Sequence, residues 1–391
     1  VYPHQSERLT AALESHGVAA LVATTPANVA YLTGFRPPEV RLGASGPVFA
    51  VFTRAGTALV VPATDAISVA AERPDAGHIR CFGRFPYVPP ARPDERARQV
   101  LDLARGAASS PEEALAEVLG AVGGEEGPVG VDEEGLTAPL WQRVVERLAP
   151  RRVIPAAHAL ARARAVKAPW EIECLERGLG AAEEGANAVI QALKPGMTER
   201  EAATLAEEAA GRQGADRVRA VVLFGTRTGL PASSPSARAL RRGDLVRIEV
   251  HGVWKGYHAR LARVAVMGEP TAEQQRRCDA LGQGLAAALG RIRPGVAAGE
   301  VAQAGLAALR EAGLSGGELP QLGHGIGLEP REAPELGPGV ALPLEMGMVL
   351  TLDVPWIEPA SAGLRLIETV LVTSRDHHVM NRSARGLVVL D

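Results

Sequence analysis

Two periods of apolar positions alternate through the first 155 residues. SERLTAALESHG carries the three-and-four spacing of a helix, and GVAALVAT reads as a strand. Two more strands follow in PVFAVFT and TALVVPA. Ser110-Pro111-Glu112-Glu113 has the form of a capping box with proline at the first helical position, opening EEALAEVLGAV. GPVGVD then reads as a strand and TAPLWQRVVERLAP as a helix. This alternation predicts an α/β layer around a mainly parallel or mixed sheet. A domain boundary falls in Ala156 to Ala168, giving domains over 1–155 and 156–391. Beyond it Pro169 opens a long helix. Ile172, Leu175, Leu179, Ala182, Ala186, Val189 and Leu193 line one face of that helix.

The second domain repeats itself. Lys194-Pro195-Gly196-Met197, Glu201 and Gly214 are echoed at a constant offset by Arg293-Pro294-Gly295-Val296, Glu300 and Gly313. Each copy is a Pro-Gly turn followed by one amphipathic helix closed by glycine. Two related halves predict pseudo-two-fold packing with any site in the groove between them. Between the copies lies GDLVRIEVHGVWKGYHARLAR, Gly243 to Arg263, two strands joined by a turn bounded by Gly252 and Gly256. Alternation places Leu245, Arg247, Glu249 and His251 on one face and Val246, Ile248 and Val250 on the other. On the returning strand His258, Arg260 and Ala262 share a face. Unpaired charges cost several kcal/mol to bury, so this surface is either wet or a site.

Composition narrows the classes. A chain of 391 residues, 46% hydrophobic, can bury two ordinary cores. A net charge of −3 gives no electrostatic footprint for nucleic acid or an anionic membrane. The three cysteines, Cys81, Cys174 and Cys278, share no metal-ligand spacing and read as buried thiols of a reducing compartment. No apolar run approaches the roughly 20 residues of a membrane span, and VYPHQSERL lacks a signal-peptide core. The expected location is cytoplasmic. FGRFPYVPPARP, Phe82 to Pro93, reads as a semi-rigid exposed loop, either a plain surface connection or a lid over a neighbouring subunit's pocket.

The hairpin resembles the metal-binding hairpin of the creatinase, prolidase and aminopeptidase P family. Gly243-Asp244, Gly256-Tyr257 and Arg263 stand as they do there. PANVAYLTGF resembles the family's N-terminal domain, and KAPWEIECLERG the opening of its catalytic domain. The resemblance implies a creatinase-like α/β domain followed by a pita-bread domain, two αβ halves with a curved sheet inside, and a homodimer. It also implies five metal-ligand positions, of which four are altered here. Those positions hold Glu249, Arg260, His324 in GHGIGLEPREAP, Asp353 in EMGMVLTLDVPW, and Ile367 in GLRLIETVLVT. Glu368 is adjacent to the last but points to the opposite face of its strand. Two further family histidines correspond to Ala232 and Arg331.

Bridging carboxylates hold a pair of cations together, and this set does not supply them. A single Zn²⁺ or Mn²⁺ on Glu249, His324 and Asp353, with His251, is the remaining metal arrangement. A guanidinium about 4 Å from a dication costs on the order of 8 kcal/mol at an effective dielectric near 20. The resemblance therefore points first to a metal-free hydrolase without a cofactor, as creatinase is, with Arg260 in the cation's place and paired bidentately with Glu249 or Asp353. Its expected substrate is a small zwitterion or dipeptide-like compound, cut at a C–N bond. Glu249, Asp353 and either His324 or His258 would be catalytic, and Arg260, Arg331, His251 and Glu332 would bind substrate. Two alternatives stand beside it. One is a single-metal Xaa-Pro peptidase; the other is a pseudoenzyme that binds a peptide, metabolite or partner.

Overall fold

The computed structural model describes residues 3–37, 46–123, 126–314 and 319–391. The chain divides into two compact units, Val1–Arg164 and Ala165–Asp391. In the first, the elements run α1 (Pro3–His16), β1 (Ala20–Ala23), α2 (Pro26–Thr33), β2 (Phe49–Thr53), β3 (Gly56–Pro62), α3 (Ala66–Glu72), β4 (His78–Phe82), α4 (Glu95–Arg105), α5 (Pro111–Ala121), β5 (Val129–Val131), α6 (Ala138–Leu148) and β6 (Val153–Pro155). The strands form one sheet in the order β4-β3-β2-β1-β5-β6. It is mixed, because the β1–β2 and β2–β3 pairs are antiparallel and the rest parallel. Val22, Phe49, Val51, Val60 and Val129 pack beneath Leu115, Val118 and Leu119 of α5.

The start of α5 differs slightly from the expected box. Ser110 Oγ accepts from Glu113 N, but the Glu113 carboxylate reaches back to the amide and hydroxyl of Ser109, one residue further upstream. In the 82–93 loop, the Tyr87 hydroxyl donates to the Ala63 and Thr64 carbonyls and Phe85 meets Tyr87 edge-on. Val88 stands out in solvent. All three cysteines are free and buried.

A linking helix, α7 (Ala157–Ala165), leads to the second unit. There the order is α8 (Pro169–Ala192), α9 (Glu199–Arg212), β7 (Arg217–Phe224), β8 (Leu245–Trp254), β9 (Tyr257–Met267), α10 (Ala272–Leu289), α11 (Ala298–Glu311), β10 (Gly323–Gly325), β11 (Glu332–Glu335), β12 (Val349–Glu358), β13 (Ala362–Val372), β14 (His377–Val379) and β15 (Val388–Leu390). Seven strands follow the order β11-β10-β12-β13-β9-β8-β7; β14 pairs with β13 and β15 with β9.

The internal repeat becomes architecture here. Each half supplies a helix pair and a long antiparallel hairpin, β8–β9 in one and β12–β13 in the other, joined at Ile367 opposite Ala262. The entry to the repeated helix is pinned the same way twice, by a bridge from Thr198 to Ala239 and another from Ala297 to Pro343. Gly185 and Gly284 occupy equivalent points where the helix pairs cross. A Cβ on Gly185 would lie 2.7 Å from the Ala206 carbonyl, and one on Gly284 2.5 Å from Leu309 Cγ, so close packing of each pair requires glycine.

The hairpin turn is shorter than its glycines suggested. Lys255 and Gly256, at φ 48° and 82°, form the two-residue connection between Trp254 and Tyr257. Gly252 lies within β8 instead. A side chain there would strike the Gly178 carbonyl at 2.8 Å, so this glycine lets α8 lie close to the sheet. Val246, Ile248 and Val250 turn towards α8 and α9, packing with Ala182, Ala186, Val189, Ala202 and Ala206. Arg247, Glu249 and His251 are left on the other face.

Candidate functional site

Register brings the charged residues together row by row. Glu249 lies opposite Ala262, Ala262 opposite Ile367, and Ile367 opposite Asp353. Two small or apolar side chains thus separate the two carboxylates. That gap is filled by Arg365, two residues before Ile367 and on the same face of β13. Its Nε donates to Asp353 Oδ1 at 2.7 Å, Nη2 to Asp353 Oδ2 at 2.5 Å, and Nη1 to Glu249 Oε2 at 2.9 Å. Burial alone would lower the basicity of Arg365, but bonds and charge from Asp353 and Glu249 outweigh it and hold the guanidinium more firmly protonated than usual.

This corrects the expectation for Arg260. Arg260 lies opposite His251, one row away, and its nearest acidic oxygen is Asp353 Oδ2 at 3.8 Å. The bidentate partner of Asp353 is Arg365. A second arginine backs Glu249: Arg247 Nε lies 3.1 Å from Glu249 Oε1. Its other nitrogens donate to the carbonyls of Thr228 and Leu230, at 2.6 and 2.7 Å, tying the 225–230 segment to the sheet. Alternation already placed Arg247 on this face. Arg365 was legible by the same rule, as the residue that shares a face with Ile367.

His324 is fixed by close backbone approach. A Cβ at Gly323 would lie 2.1 Å from the Thr351 carbonyl and one at Gly325 2.2 Å from the Ala333 carbonyl, so β10 fits between its neighbours only with glycine on both sides of the histidine. The ring is buried, and Nδ1 lies 2.8 Å from the Gly325 carbonyl. A carbonyl can only accept, so Nδ1 carries the proton and Nε2 keeps its lone pair. Burial first, then the charges of Arg260 and Arg331, keeps this imidazole below its ordinary range. It is neutral at pH 7.

His251 and His258 stack with ring centroids 4.9 Å apart and His251 Nε2 2.8 Å from His258 Nδ1. Burial, then the charges of His258 and Arg260, pushes His251 down from 6.5 to about 4. The unfolded chain therefore binds this proton at a higher pH than the native one does. Stability is fully present above pH 6.5 and falls as pH drops towards about 4. The loss is about 3 kcal/mol. His251→Asn is expected to flatten the profile of urea midpoint against pH in that window; an unchanged slope would contradict the assignment.

Two expected substrate contacts lie elsewhere. Arg331 is half exposed and reaches Gln321 and Glu335 at the surface, where its charge stays solvated. Glu332 is buried and its Oε2 meets Lys167 Nζ at 2.9 Å, with both side chains almost fully enclosed. Glu368 is on the opposite face, as alternation required, where its Oε1 lies 3.0 Å from Arg263 Nη2 in a buried pair. Ala232 is exposed, while Ser233 Oγ accepts from Arg227 and Ser234 lends its carbonyl to the same guanidinium, so both serve the loop.

A cation on Glu249, His324 and Asp353 does not fit this arrangement. Both carboxylates are turned onto Arg365, so a cation held between them would meet its fixed charge. Among the described residues no group of three or more His, Cys, Asp and Glu side chains could hold a metal. No helix of the described residues is long and apolar enough to cross a membrane.

Comparison with known proteins supplies the family. Residues 173–374 match the metallopeptidase family M24 and residues 5–166 the creatinase/prolidase N-terminal domain. The chain is 28% identical over 227 residues to an Xaa-Pro dipeptidase of Pyrococcus furiosus, covering 58% of this chain and 65% of that protein, just under two thirds of its length. It is 29% identical to the probable dipeptidase PepE of Mycobacterium tuberculosis, covering 100% of this chain and 97% of that one. Among solved structures, dipeptidase PepE from Mycobacterium ulcerans superposes with a TM-score of 0.80 at 26% identity, over 100% of this chain and 98% of that one. An X-Pro aminopeptidase from Thermotoga maritima also gives 0.80, at 22% identity over 98% and 99%, a likeness of fold alone. With a creatinase-type first domain and a pita-bread second domain, the chain belongs to the metallopeptidase family M24.

Proposed function

We propose that this M24 member is a metal-independent hydrolase cutting the C–N bond of a small peptide-like amide. The observation that carries the reading is the guanidinium of Arg365 bound to both Glu249 and Asp353, which puts a permanent positive charge where relatives' chemistry uses a cation. A neutral imidazole with a free lone pair, His324 Nε2, stands on the same sheet to take a proton from an attacking water. The water oxygen bonds to the amide carbon, and the proton passes through His324 to the departing nitrogen as the C–N bond breaks. Arg365 supplies fixed charge for the oxyanion. The relatives named as dipeptidases support an amide as the bond attacked.

Chelator-treated protein is expected to hydrolyse such an amide at an undiminished rate. His324→Gln is expected to lower kcat by about 10²–10⁴-fold with the fold intact. Activity that appears only with Mn²⁺ or Zn²⁺ would support the single-metal peptidase instead. A binding protein without turnover is the second reading, and one feature favours it: both carboxylates are paired with Arg365 and Arg247, which leaves the base to an imidazole. Ligand-induced stabilisation without product would decide for it.

A further inference from the structure

The site is unequal in what it offers a ligand. Asp353 takes two bonds from Arg365, and Glu249 takes one and has Arg247 at 3.1 Å. Each carboxylate is already neutralised by a guanidinium, so a ligand's ammonium group beside either would face the charge of Arg365, Arg247 or Arg260. Arg260 is in the opposite condition. Among the described residues its ionic neighbour is Asp353 at 3.8 Å, beyond hydrogen-bond distance, and its side chain keeps 24% of its exposure. Across the strands, Arg219 lies opposite His251 and His251 opposite Arg260, so the three form one row on the face that carries Glu249. Arg219 is exposed and the imidazole between the two guanidiniums contributes no charge at pH 7.

Counting the fixed charges on this part of the face gives Arg219, Arg247, Arg260 and Arg365 against Glu249 and Asp353. The surplus is positive and lies at the Arg219–Arg260 end. We infer that the Arg219–His251–Arg260 row is an anion subsite, and that the ligand is an amide carrying a free carboxylate and no ammonium group, an N-acylated amino acid in place of a zwitterionic dipeptide. The carboxylate takes the unused donors of Arg260, with Arg219 adding charge from the next strand but one. An acyl group meets no penalty where an ammonium would face the surplus positive charge of Arg260 and Arg365.

The inference rests on the proposed reading for the site's location, but its test reads binding and not turnover, so the two can fail separately. Titration calorimetry at pH 7 would use N-acetyl-L-proline, N-acetyl-L-alanine, N-acetyl-L-prolinamide and L-alanyl-L-proline against the full chain. At least one acetylated acid is expected to bind. The prolinamide and the free dipeptide are expected to bind at least about tenfold more weakly than N-acetyl-L-proline. Arg260→Gln is expected to erase that preference, and Arg260→Lys to keep part of it, with Arg219→Gln giving a smaller loss. The comparison of acid with amide in the unaltered protein stands even where a variant fails to fold. A dipeptide that binds as tightly as its acetylated counterpart, an amide that binds as well as the acid, an Arg260→Gln protein with unchanged affinity, or no binding of either acetylated acid would overturn the assignment.

Discussion

Replacing Arg365 with methionine is expected to lower the stability of the second unit by about 2–4 kcal/mol. Removing one member of a buried ion pair leaves its partners charged in a poor solvent, typically at a cost of about 3–5 kcal/mol. Here the side chains of Arg365, Glu249 and Asp353 retain 19%, 16% and 14% of their exposure, so water recovers part of the loss. Glu249 keeps Arg247 at 3.1 Å, whereas Asp353 keeps only the distant Arg260. Arg365→Lys restores charge without the planar fork and should recover less than half of the loss. The methionine variant has a second consequence. With the guanidinium gone, Glu249 and Asp353 lose the charge that neutralised them, so Zn²⁺ or Mn²⁺ should raise the melting temperature of the variant more than that of the parent. Thermal unfolding with and without each ion measures both effects; a variant as stable as the parent and indifferent to the ions would contradict the role given to Arg365.

Lys167→Met carries the other large effect, about 3–5 kcal/mol. Lys167 donates to Glu332 at 2.9 Å and to the Ala165 carbonyl at 3.2 Å, and the two charged side chains are 1% and 2% exposed. Close by, the Tyr257 hydroxyl donates to Glu171 at 2.8 Å, and Glu171 also caps the start of α8 through the Ala168 amide. Burial holds the Glu171 carboxyl above its usual range and the Tyr257 phenol well above its own. The cluster fastens the turn end of the β8–β9 hairpin to the head of α8. Removing the lysine alone takes the opposite charge from the buried Glu332 carboxylate, which keeps the Glu329 amide. Converting the pair to Lys167→Met with Glu332→Leu is expected to return most of the loss, since a packed apolar pair replaces both charges. Urea unfolding of the two variants checks this; a single variant within about 1 kcal/mol of the parent would show that the pair is not structurally important.

These networks explain why the architecture was readable in the sequence and the chemistry only half so. Gly256-Tyr257, the Lys167…Glu171 spacing, Arg263 and the glycines around His324 are demanded by packing, and each points to one backbone arrangement. Tyr257 must reach Glu171, Arg263 must meet Glu368, and His324 must sit between strands too close for a side chain. The repeat of Gly185 at Gly284 comes from the same source. The site is a matter of register across five strands, which a single strand's pattern does not contain. Alternation gave the faces of Glu249, Arg260 and Glu368 but not which side chain would fill the gap between Glu249 and Asp353. Arg260 is one row too far along, and Arg365 reaches in diagonally from β13. Glu332 misled for a related reason: it follows the GHGIG stretch closely in sequence, but its own side chain turns to Lys167.

In the proposed function a guanidinium replaces the cation of this family's chemistry. The most direct test is elemental analysis of protein produced with added Mn²⁺, Zn²⁺ and Co²⁺ and then freed of loosely bound ions. The prediction is far less than one transition-metal ion per chain for the parent, alongside retained ligand binding. One tightly held ion per chain, lost together with that binding when Glu249 or Asp353 is neutralised, would contradict it.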